Sequence, residues 1–100
     1  MSATPRNASS PLNDTVPYSA TSVTIFNLVR DVVYRSVFNN TDKDLYLFFS
    51  ASAATATTSA TTKVAAGATF VFPTPVYNNV VTGIGAAAGT GSYNTTQFTL

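Results

Sequence analysis

Cysteine, histidine, tryptophan and glutamate are all missing from this chain of 100 residues. Without cysteine there is no disulfide, no thiolate nucleophile and no sulfur-based metal site. Without histidine a Ser-His-Asp triad is excluded, and general acid–base work would fall to Asp, Lys or Tyr. Charge of either sign is scarce too, at 9% of residues against about 25% in ordinary globular chains. The charged residues are Arg6, Asp14, Arg30, Asp31, Arg35, Asp42, Lys43, Asp44 and Lys63, and nothing after Lys63 carries charge. Five scattered cations and four Asp leave a net charge of +1, which makes no phosphate-binding face. Nucleic acid is therefore not an expected partner. Nor is a membrane, because no apolar run reaches the roughly 18 residues of a span. The opening MSATPRNASS has no apolar stretch of the kind a secretory signal needs, so synthesis in the cytoplasm is expected.

What is present is hydrophobic residues at 45%, enough for one modest core and one domain. Thr, Ser, Asn and Ala stand where charges usually stand. A soluble monomer ordinarily keeps a mixed-charge surface, whereas interface cores are depleted in Lys, Glu and Asp. Much of this surface is accordingly expected to lie against protein partners. The blander alternative is a neutral, hydrophilic surface.

Residues 1–20 read as an extended arm. Pro5, Pro11 and Pro17 remove backbone donors and bias their neighbours to extended geometry, and apolar anchors are few: Leu12, Val16 and Tyr18. Fixing such a segment costs roughly 1–2 kcal/mol per residue, so an ordered arm needs a neighbouring subunit or shell, or its own domain, to hold it. Pro5, Arg6, Pro11, Leu12, Val16, Pro17 and Tyr18 are the candidate partner contacts.

From Thr21 the pattern is β. Val23 and Ile25 lead into Asp31–Phe38, where Val33, Arg35 and Val37 share one face. The polar cluster Asn39–Asp44 is a turn, and Leu45, Leu47 and Phe49 define the clearest strand by alternation. Residues 51–62 read as a long small-residue loop. Lys63–Ala65 and Thr69–Phe72 flank a turn at Ala66-Gly67. Residues 76–88 hold another strand, in which Gly83 and Gly85 suggest a bulge or close backbone approach. Gly89-Thr90-Gly91 is a turn, and Thr95–Leu100 closes the chain. Phe26, Phe38, Phe49, Phe70, Phe72 and Phe98 are expected in the core. Six or seven short strands at such spacing predict an all-β fold over residues 21–100: a single β-sandwich or jelly-roll-like domain, with a small β-barrel as the alternative.

Chemistry-bearing constellations are lacking. Asp42 and Asp44 with Asn39 or Asn40 do not match a calcium loop, since the central Gly and bidentate Glu are missing, and a plain turn is the better reading. No phosphate loop or dinucleotide fingerprint occurs. No catalytic residue, metal or cofactor is expected, and the chain does not read as an enzyme. Tyr46 or Tyr77 could stack on sugar if exposed, although such platforms favour Trp.

From Arg35 to the C-terminus the chain resembles a group of small tailed-bacteriophage virion proteins. The resemblance lies in Arg35-Ser36-Val37-Phe38-Asn39 with Thr41 and Lys43, then Leu45-Tyr46-Leu47, Ala51-Ser52-Ala53, Ala65-Ala66-Gly67 and Phe70-Val71-Phe72-Pro73. It continues through Pro75-Val76-Tyr77, Val81-Thr82-Gly83-Ile84, Ala86-Ala87-Ala88 and Gly89. It covers about two-thirds of the chain and consists of turn and strand punctuation. What it implies is a virion structural protein, foremost a capsid decoration (cement) protein on the capsid exterior. Such a protein would bind the major capsid protein and neighbouring copies of itself as a homo-oligomer, a trimer being favoured. Stabilisation would come from buried area and added strand pairing between subunits. Removing residues 1–20 is then expected to leave a folded domain that no longer binds shells. The alternative is a neck, tail or fibre-adaptor component, and a carbohydrate- or receptor-binding module is a distant third.

Overall fold

A computed structural model describes residues 10–49 and 62–100. They form eight strands: β1 (Ser10–Pro17), β2 (Val23–Phe26), β3 (Val32–Thr41), β4 (Leu45–Phe49), β5 (Thr62–Val64), β6 (Thr69–Val71), β7 (Val81–Gly85) and β8 (Gly91–Thr99). The pairing is that of one long hairpin folded over on itself. β1 pairs with β8, β2 with β7, β3 with β6 and β4 with β5, all antiparallel. Two further pairings, β3 with β8 and β4 with β7, split the hairpin into two four-stranded sheets. Sheet A has the order β1-β8-β3-β6 and sheet B the order β2-β7-β4-β5. This is the eight-stranded jelly roll. The sheets stay separate, so the small-barrel alternative is not what forms.

Apolar side chains from both inner faces make the core. Val37 and Tyr93 come from sheet A, and Ile25, Phe26, Leu45, Leu47, Val64 and Val81 from sheet B, with Phe72 beyond the end of β6. Phe72 meets Phe26, Phe49 and Phe70 edge-on at centroid distances of 5.4, 5.5 and 5.3 Å, the arrangement aromatic quadrupoles favour. Gly85 lies on the inner face of β7, where a Cβ would run into the Tyr18 ring. The close approach expected from the glycines of this strand is therefore real, while the bulge sits in the facing strand, between Thr24 and Phe26. Gly91, at φ +120°, starts β8 in a backbone conformation that L-residues rarely adopt, against the Asn40 carbonyl.

Several elements differ from the sequence expectations. β3 runs on through Asn39–Thr41, which had read as turn, and β8 begins at Gly91, four residues before the expected strand. Phe38 and Phe98 were expected in the core. In the register they pair with Asn94 and Tyr34, which places them on the outer face of sheet A. The arm is extended where it is described, but from Ser10 onward it lies on its own domain. Eight residue pairs join β1 to β8, Val16 and Tyr18 pack against the core, and Tyr18 N–H donates to the Gly91 carbonyl at 3.0 Å. The sheet therefore crosses the boundary expected between residues 20 and 21. Removing residues 1–20 would strip an edge strand and two core contacts, so it is no longer a neutral deletion. The loop expected at residues 51–62 lies outside the described residues except for Thr62, which opens β5.

Candidate docking surfaces and the polar framework behind them

The inner face of sheet A is unusually polar. Arg35 and Gln97 are direct cross-strand partners, and both are buried. Arg35 Nε donates to Gln97 Oε1 at 2.7 Å. Its Nη1 donates to the Tyr77 and Asn79 carbonyls at 2.9 and 2.7 Å, and its Nη2 to the Asn27 carbonyl at 2.5 Å. The guanidinium also lies 4.6 Å from the centroid of the Phe26 ring, a cation–π contact. No carboxylate is involved: backbone carbonyls and one amide carry the charge. Burial lowers the Arg35 pKa from 12.5 to about 10, with Tyr77 opposing, so the side chain is still a cation at neutral pH. One side chain thereby ties the segment before β7 and the segment after β2 to the middle of β3.

Asn39 does the same at the other end of β3. Its Nδ2 donates to the Lys43 and Val64 carbonyls, each at 2.8 Å, and Oδ1 accepts from the Thr41 hydroxyl at 2.6 Å. Its backbone N–H donates to the Ala68 carbonyl and its carbonyl accepts from Gly67 N–H. The β3–β4 turn and the β5–β6 turn are both fastened to it. Within the turn, Thr41 Oγ1 accepts from Lys43 N–H at 3.2 Å, a side chain holding its own backbone, whereas Asp42 and Asp44 reach other loops and accept from Thr90 N–H at 3.3 Å and Ala66 N–H at 3.4 Å. Among the described residues no group of three or more His, Cys, Asp or Glu could hold a metal.

Tyr93 is fully buried, and burial raises its hydroxyl from 10.0 to about 12. The unfolded chain ionises near pH 10 while the folded chain holds this proton, so the contribution is complete below pH 10 and is lost as pH rises through 12. Urea midpoints measured from pH 9 to 12 are expected to fall more steeply for the wild-type chain than for Tyr93→Phe. The stability difference between them should change by about 2–3 kcal/mol over that window. Arg35 acts with the opposite sign and is common to both chains, so it cancels in the comparison. Parallel pH profiles would contradict the assignment.

The outward side of sheet A is the first candidate docking surface. Register places Pro11, Asn13, Thr15 and Pro17 of β1 beside Phe98, Thr96, Asn94 and Ser92 of β8. Those in turn lie beside Tyr34, Ser36, Phe38 and Asn40 of β3, with Val71 and Thr69 of β6 at the far edge. None of these residues is charged. The Tyr34 and Phe98 rings touch at 5.3 Å, Thr96 donates to Asn13 Oδ1 at 3.1 Å, and Val71 is 52% exposed.

The free edge of β1 is closed to another strand. Strand residues alternate in the direction of their N–H groups, and Pro11 and Pro17 fall in the half facing away from β8. Thr15, in the same half, gives its N–H to Asp14 Oδ1 at 2.8 Å. Only Asn13 is left with an outward donor, and prolines and short polar caps of this kind blunt sheet edges.

The second candidate is the rim where β1 and β2 bound the open side of the sandwich. Leu12, 55% exposed, borders a recess there of about 80 Å³ lined also by Asp14, Phe26, Asn27, Val29 and Gln97, while Leu28, 59% exposed, lies in the segment just after β2 and does not line it. The candidate contacts thus part company. Pro11 and Pro17 are exposed on the β1 edge strand and Leu12 on the rim, Val16 and Tyr18 turn into the core, and Pro5 and Arg6 lie outside the described residues. Sequence reasoning missed Leu28 and the whole sheet face. The signal for the face was alternation of uncharged residues in β3 and β8, which becomes a single surface only once those strands pair.

Comparison with known proteins returns no matching family model, no matching curated protein and no matching solved structure. The class that stands is the one the strands define, a jelly-roll sandwich of two four-stranded sheets. No helix among the described residues is long and apolar enough to cross a membrane.

Proposed function

We propose that this chain is a non-catalytic structural protein of a tailed-phage particle, foremost a capsid decoration protein that binds the major capsid protein on the shell exterior. The jelly roll serves viral capsid and lectin domains alike, so the fold does not choose between a virion role and a glycan-binding one. The observation that carries the reading is a pair of exposed leucines, Leu12 beside the recess at the open side of the sandwich and Leu28 just after β2, in a domain that has few charges to offer any partner. The resemblance from Arg35 onward supports the phage setting. Because the β1 edge is capped, binding would come from buried apolar area at the rim, together with residues 1–9, rather than from added strand pairing. Many weak contacts repeated over a lattice reach high avidity.

Quantitative mass spectrometry of purified virions against the major capsid protein tests this directly. Hundreds of copies are expected. A dozen or fewer would move the protein to the neck, tail or a fibre adaptor, and absence from virions would overturn the structural reading in favour of a free binding module. Removing residues 1–9 alone keeps all of β1 (Ser10–Pro17) and should weaken shell binding at least tenfold, with urea denaturation of the shortened chain separating lost binding from lost folding. Shell binding unchanged by that deletion would exclude the segment from the contact.

A further inference from the structure

The outward face of sheet A is distinct from the rim, and we infer that it pairs with the same face of a second copy of this chain. Fourteen residues from β1, β8, β3 and β6 form it without one charge. In an isologous contact each patch meets its own image, so any charge near the axis would face its like. A face built only from Thr, Ser, Asn, Pro, Val, Tyr and Phe meets that requirement as it stands. It offers nothing to a strongly charged partner.

Geometry points the same way. Two β-sheets can pack face to face about 10 Å apart with their strands nearly aligned. Tyr34, Phe98, Phe38 and Val71 supply bulk, and Ser36, Thr96 and Asn13 supply the low ground between them. Four strands spaced about 4.8 Å apart and about seven residues long give a face on the order of 400 Å². Two copies would bury roughly 800 Å² in total, which is below a standard stable interface. The pairing is therefore weak in dilute solution and effective where copies are crowded, as they would be on a shell. The capped edge of β1 leaves face pairing open while discouraging edge-to-edge growth of sheet A into a fibre.

The inference does not depend on the phage setting, and its test needs only the full-length chain. Sedimentation equilibrium from about 10 μM to 1 mM is expected to show the average mass rising toward that of a dimer. Val71→Lys and Thr96→Lys each place a charge on the face and should weaken association at least tenfold, with Ala87→Lys, on the exposed β7–β8 loop, behaving as the parent. Urea midpoints of each variant separate lost association from lost folding. Because the parent has no cysteine, Val71→Cys gives an independent reading through intermolecular disulfide formation at high concentration, which Ala87→Cys should not match. A parent that stays monomeric at 1 mM, or face variants that associate as the parent does, would overturn the inference.

Discussion

Arg35→Met is expected to lower the stability of the domain by about 3–5 kcal/mol, the cost of breaking a buried, hydrogen-bonded charged cluster by removing one member. The methionine fills much of the volume but donates nothing. The Tyr77, Asn79 and Asn27 carbonyls and Gln97 Oε1 would all lose their donor, and each unsatisfied buried group costs about 1–3 kcal/mol before relaxation. A domain of this kind has roughly 5–15 kcal/mol in total, so this one substitution removes a large part of it. Arg35→Lys should recover little, because a point ammonium cannot span acceptors on both sides of a planar fork. Urea denaturation of the three chains at pH 7 reads the effect. A loss below about 1 kcal/mol for Arg35→Met, the net worth of a single ordinary hydrogen bond, would mean that the cluster contributes no more than one such bond.

Asn39→Asp should be nearly as damaging at neutral pH, by about 3 kcal/mol or more, although it changes a single atom. The amide nitrogen that serves the Lys43 and Val64 carbonyls becomes a carboxylate oxygen aimed at two other acceptors. A buried, unpaired carboxylate is costly, and it relieves that cost by taking up a proton. Its folded-state pKa should therefore lie above the ordinary value near 3.9. The sign follows from linkage: the variant should come closest to the parent below pH 4 and lose ground as pH rises through the raised pKa. Denaturation midpoints of parent and variant between pH 3 and 8 test it. A constant gap would show that ionisation of the new carboxyl is not what costs stability, and no gap at any pH would show that Asn39 is replaceable at this corner.

Both substitutions fall on residues whose importance was hidden in the sequence. Arg35 sat in an alternating run with Val33 and Val37, which says which residues share its face and not what lies against it. Its acceptors are Gln97, sixty-two residues away, and carbonyls at Tyr77, Asn79 and Asn27, so nothing local announces it. Asn39 looked like the first residue of a turn. It became the last buried residue of a strand because its amide could reach the Val64 carbonyl across the fold. Phe38 and Phe98 misled in the opposite direction: aromatic residues are core residues on average, yet the β3–β8 register turns these two outward.

The sequence by itself determined the class of structure. Strict alternation in Leu45-Tyr46-Leu47-Phe48-Phe49, the β-branched run before Phe38 and the turn residues at Asp42–Asp44 and Ala66-Gly67 are local signals, and each specifies one strand or one reversal. An all-β sandwich follows from their number and spacing. So does the exclusion of histidine and cysteine chemistry, which depends only on composition. Tertiary structure alone decided which strands are neighbours. β1 joins β8 across the whole length of the chain, so the supposed arm became an edge strand with Val16 and Tyr18 in the core. It also decided that uncharged positions from four separate strands, none of them notable alone, would meet on one face. Long-range pairing is set by how the inner faces fill and by which buried polar groups find partners, and those partners lie in segments that no local pattern connects.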